Sequence, residues 1–148
     1  MTPELFIEQD IVRYLSDSIK DYQIECFSGD PDESIIRAQK LNKGLVVVAH
    51  SSDSADYGDR ARNMQLMTIP FAINLLSNSR KDATELFELL HRVRTLMLDY
   101  QFSVFPSRIL RHLIHPVKFP NASGIFVGEI DLEIRIDLFS IQKLINEN

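Results

Sequence analysis

His50, Ser51, Ser52 and Asp53 stand side by side, and together they hold the residue types of a hydrolytic triad. A triad draws its nucleophile, base and acid from separate segments that fix each angle, and residues this close in sequence rarely align. No Gly-x-Ser-x-Gly elbow occurs in the chain. The segment reads as a solvated polar loop. Asp53, Asp56 and Asp59 beside Gly58 suggest a calcium loop, but the twelfth position, which should carry a bidentate Glu, is Met64. His112 and His115 are three apart on an expected strand, so they face opposite ways and cannot be neighbouring ligands. His91 falls beside the apolar stripe of an expected helix. Five glycines form neither a dinucleotide fingerprint nor a P-loop. The single cysteine, Cys26, cannot form an internal disulfide and reads as a small buried hydrophobe. A reducing compartment is expected. No catalytic residue, metal ligand or cofactor site is expected from these patterns.

The elements that would position such residues fit one domain over all 148 residues. Apolar residues make up 45% and charged residues 25%, ordinary for a globular protein with its own core. The net charge of −5 argues against a general nucleic-acid binder, because phosphate neutralisation dominates that affinity. Arg108, Arg111, His112 and His115 come closest to a local basic patch. The first residues lack the basic and apolar regions of a signal peptide, and no apolar run approaches a membrane span.

Thr2-Pro3-Glu4 is a helix start, and Ile7, Ile11, Leu15 and Ile19 recur on one stripe, predicting a helix over 3–20. A short strand over 22–27, a turn at 28–31 and a short helix over 32–41 follow. Leu45 to Ala49 is an apolar, mostly β-branched run that fits a central strand covered on both faces. After the polar loop 51–60, a long strand over about 62–76 puts Met67, Ile69, Phe71, Ile73 and Leu75 on one face. Pro70 cannot donate to a ladder, which predicts an edge or a bulge there. Ser79 to Asp82 reads as a capping box for a helix over 81–100, with a Glu88–Arg92 pair on its surface. A mixed strand over 108–119, a turn at 120–124 and an alternating strand over 125–138 close the chain. The expected fold class is α+β: a mostly antiparallel sheet of four or five strands with helices packed on one face.

The last strand turns Glu129, Asp131, Glu133, Arg135 and Asp137 outward. This row reads as a solvated face, or as a surface toward a neighbouring subunit or a passage for another polyanion. With Asp53, Asp56, Tyr57, Arg60 and Arg62 of the polar loop and its exit, Glu129, Asp131, Glu133 and Arg135 form the candidate interface or lumen.

The element order, the Gly44-Leu-Val-Val-Val run, the Arg62-Asn-Met-Gln65 entry to the long strand and the Leu86-to-Leu98 helix with Val93-Arg94 resemble the structural proteins of the Mu-like prophage family. These are similar in fold to phage tail terminators, and the resemblance covers nearly the whole chain. It implies a non-enzymatic virion part: a homo-oligomer, commonly a hexameric ring, that closes the end of the tail tube. Its partners would be tail-tube or head–tail connector proteins, with no specific nucleic-acid or membrane binding. It would act in the bacterial host cytoplasm during assembly and then in the virion tail. The chain lacks the extended C-terminal tail of some such proteins. The alternatives are a head–tail joining protein, an adaptor that binds a peptide at an exposed sheet edge, and an enzyme built on His50, Asp53 and a distant serine.

Overall fold

The computed structural model describes residues 1–50, 56–61, 64–78, 83–102, 108–115 and 125–147. Helix α1 (Pro3–Ser18) starts where Thr2 accepts from the Leu5 amide at 3.2 Å. It buries Ile7, Ile11 and Leu15, the stripe legible in the sequence. Strand β1 (Gln23–Cys26) leads into α2 (Pro31–Lys40), capped by Asp30 and carrying acids in its first turn and bases in its last. Strand β2 (Gly44–His50) lies parallel to β1, and α2 is the crossover that parallel pairing requires.

Strand β3 (Asp56–Ala61) pairs with the first half of β4 (Met64–Asn78), and β2 pairs with its second half. Helix α3 (Thr84–Asp99), β5 (Arg108–His115), β6 (Ile125–Asp137) and α4 (Leu138–Glu147) complete the chain. The sheet order is β1-β2-β4-β6-β5, with β3 beside β4, and every pairing except β1–β2 is antiparallel.

The fold is therefore α+β with a mixed, mostly antiparallel sheet. It has six strands because half of the expected loop 51–60 forms β3. Residues 51–55, the capping box 79–82, and the positions 116–119 and 120–124 of the last expected strand and turn lie outside the described residues. Helix α3 begins after Ala83, without a side-chain cap. The C-terminal helix α4 was not expected, since its short apolar pattern follows the alternating strand without a break.

Helices α1, α3 and α4 pack on one face of the sheet, here called the front, around Ile7, Ile11, Ile73, Leu89, Ile130 and Ile141. Helix α2 lies on the back, over Leu45, Val47, Leu76 and Ile125. The expectation of helices on a single face fails at this one element, because the β1–β2 crossover must pass over one side of the sheet. Gly44 holds the edge of this crossover: its φ is +144°, and a Cβ there would meet the Leu76 carbonyl oxygen at 2.0 Å. Asn78 then donates to the carbonyls of Ala38, Gln39 and Leu41 at 3.4, 3.1 and 3.0 Å, tying the end of α2 to β4.

Strand β4 is central, which corrects the edge reading drawn from Pro70. The proline stands opposite Glu133 of β6. On its other flank it falls between the last β2 pair, His50 with Phe71, and the first β3 pair, Asp56 with Thr68. Residues 51–55, between those two pairs, lie outside the described residues.

Candidate interaction surface

Among the described residues, one group of chemistry-bearing side chains meets inside the protein. Glu8 sits next to the buried stripe of α1 and is 3% exposed. Its carboxylate contacts Nδ1 of His50, the last residue of β2. The Cys26 thiol at the end of β1 hydrogen-bonds the same carboxylate. Burial first, and then the Glu8 carboxylate, push this thiol up to about 11, so it stays protonated at neutral pH. Nucleophilic catalysis needs a base against the nucleophile and an acid behind the base. Here the carboxylate stands between thiol and imidazole. The order suits a buried structural contact better than an activated cysteine.

The sequence pointed to His50 but not to Glu8. One residue beyond Ile7 on an amphipathic helix, a Glu is normally solvated, and only the tertiary packing of α1 over β2 buries it. Among the described residues no cluster of three or more His, Cys, Asp or Glu side chains is arranged to hold a metal ion, and no helix is long and apolar enough to cross a membrane.

Asp53 and Arg62 of the candidate interface lie outside the described residues. Asp56, Tyr57 and Arg60 are on β3, opposite Thr68, Met67 and Gln65, with a register shift between Tyr57 and Arg60. Glu129, Asp131, Glu133 and Arg135 line the back of β6, as the alternation predicted. They stand opposite Asn74, Ala72, Pro70 and Thr68 of β4.

This row is not a bare acidic strip. Strand β5 brings Arg108 opposite Glu133 and Arg111 opposite Asp131, and a register shift at Leu110 makes both matches possible. None of Glu129, Asp131, Glu133, Arg135 and Asp137 stands without a partner. His112 is opposite Ile130 and His115 opposite Val127 in the register of β5 and β6.

Helix α2 covers only the Leu76–Val127 end of the back face. Where its cover stops, Phe27, Ile35, Val47, Leu76 and Val127 line an apolar groove of about 230 Å³, with Asn74 on its floor. Below it, Ala72, Pro70, Thr68 and Leu66 of β4 are only half-buried. On the other side of the molecule, the outer surface of α3 exposes Phe87 and Leu98, at 53% and 62%. His91 and Arg94 lie between them, joined at 3.1 Å. Arg92 reaches Asp21 at 3.0 Å, in place of the expected pairing with Glu88. No protein-family model matches the chain, and no curated protein is significantly similar to it.

Proposed function

We propose that this protein is a non-enzymatic structural subunit that works by self-association, of the kind that completes a phage or prophage tail by forming a ring at the end of the tube. The observation that carries the reading is the unequal cover of the sheet. Three helices close the front, while the back is covered at one end and leaves a half-buried strip of β4 and β6 beside an apolar groove. Such a strip is a surface for another protein. The buried Glu8–His50–Cys26 contact, with its protonated thiol, gives no competing support to an enzymatic role.

Head–tail joining would use the same surface. The adaptor reading draws on a different feature, the edge strands β1 and β5 that end the sheet on either side.

Electron microscopy of lysates from the parent phage or prophage lacking this gene separates the three. Tails of abnormal length are the expected result for a terminator. Finished heads and tails that fail to join would move the role to the neck. Normal infectious particles would remove the virion reading and leave the adaptor in front.

A further inference from the structure

The groove under the start of α2 has the make-up of a small-molecule site, and we infer that it takes a neutral molecule with a ring-sized apolar body and one amide-like edge. The site belongs to a single subunit and is independent of self-association.

The first argument is size and shape. Two cross-strand pairs, Val47 with Asn74 and Leu76 with Val127, make its floor. Pro31, Ser34 and Ile35 follow the i, i+3, i+4 spacing of one helix face and line its α2 side. Phe27 completes the lining, and Gly29, at φ +99°, turns the chain from Phe27 into α2. An apolar cavity of about 150 Å³ takes up benzene. At about 230 Å³ the groove has room for such a ring and a few atoms more.

The second argument is the pair of polar groups inside it. Ser34 is only 7% exposed, and Asn74 is half-buried. Among the described residues neither side chain forms a hydrogen bond, and neither is sealed off from the groove it lines. Polar groups withdrawn this far into a protein normally have a partner. A carboxamide presents a donor and an acceptor side by side, and a hydroxyl serves as either. Their complement is an edge of the amide, lactam or urea type, set on a body that fills the apolar remainder.

The third argument is charge. None of the lining side chains ionises. Arg37 of α2 is paired with Glu25 at 2.8 Å, and Glu129, opposite Asn74, has a partner of its own. An ionised ligand would lose water here without gaining a countercharge, so the site selects a neutral one.

Methyl-resolved NMR of the full chain tests this with three probes of similar size: benzamide, benzoate and toluene. Benzamide should shift the methyl signals of Val47, Leu76 and Val127 and bind about ten-fold more tightly than either of the others. A site that hydrogen-bonds its ligand rejects the analogue without that group, because its own polar groups are then left unpaired. Toluene binding as tightly as benzamide would overturn the amide-like edge. Asn74→Leu removes the donor and acceptor at nearly constant volume and should reverse the order of benzamide and toluene. An unchanged order would overturn the inference. Ser34→Ala is a second variant that leaves the sheet untouched, and it should weaken benzamide a few-fold without weakening toluene. Thermal unfolding of each variant confirms that it is folded. No shift of these methyls at tens of millimolar benzamide would overturn the site itself. Each of these results is read on the isolated chain, so a failure here is distinct from a failure of the tail-completion reading.

Discussion

The two faces of one sheet follow different rules. On the front, every second described residue of β4 and β6 is buried against three helices, and two tyrosine hydroxyls are tied down. The Tyr100 hydroxyl donates to Asp10 at 2.6 Å, and burial with that carboxylate holds it far above its ordinary range. The Tyr14 hydroxyl donates to the Leu96 carbonyl at 2.7 Å, and the two rings are 5.0 Å apart. On the back, Leu76 and Ile125 of the same strands are buried under the ten-residue α2, while Thr68, Pro70, Ala72, Asn74, Glu129, Asp131 and Glu133 are half-buried. The larger of the two cores is on the front.

The sharpest way to break this contrast is to mutate neighbours on one strand. Ile73→Ala empties a fully buried front position and should cost about 2–5 kcal/mol. Ala72→Ser, one residue away on the back, should stay within about 0.5 kcal/mol. Urea unfolding of both compares them directly, and similar losses would mean that the back is packed as tightly as the front.

Asn78→Ala should cost about 1–2 kcal/mol, because it strips the carbonyls at the end of α2 of their donor. Hydrogen exchange should then rise in α2 before it rises in α1 or α3. Tyr100→Phe removes a hydrogen bond to a carboxylate on the front and should cost about 1 kcal/mol, read as a lower melting temperature.

The smallest effect is at Asp21. Its hydrogen bond from Arg92, with help from Lys43, lowers its carboxyl to about 2. A carboxyl depressed on folding stabilises above its unfolded value of about 4 and loses that contribution as pH falls through about 2. The side chain is 36% exposed, so screening leaves a few tenths of a kcal/mol. Asp21→Asn should lower stability by those few tenths at pH 7 and flatten the profile between about pH 4 and pH 2, with the difference vanishing below about pH 2.

Much of the fold was legible because the front obeys simple periods. The α1 stripe, the alternation of β6 and the apolar run of β2 each announce a buried face in local sequence. What was missed depends on partners far along the chain. Pro70 looked like an edge because a missing donor is visible locally, whereas the pairing of β4 with β6 along nearly its whole length and with β2 and β3 on its other flank is not. Strand β3 is the polar run Asp56-Tyr-Gly-Asp-Arg-Ala61, which has no apolar period and is a strand only through pairing with β4. The groove was illegible for the same reason: it combines residues of the β1–α2 connection with three strands, and none of them is unusual alone. The acidic row was read correctly as outward, but its arginine neighbours were hidden by the irregular pattern of β5.

That irregularity has a consequence for how this strand can vary. Leu110 acts as a phase shift: before it, odd and even positions of β5 have one assignment to front and back, and after it the assignment is reversed. Arg108 and Arg111 can therefore share a side although they are three residues apart. Substitutions in this strand change one contact each. Loss of Leu110 alone would leave Arg108, Ile109, Arg111 and His112 opposite the same four residues of β6 in a regular ladder, whereas loss of a residue on either flank would shift the register of that flank by one. The strand can therefore lose or exchange the residue at this position and still keep Arg108 and Arg111 opposite Glu133 and Asp131.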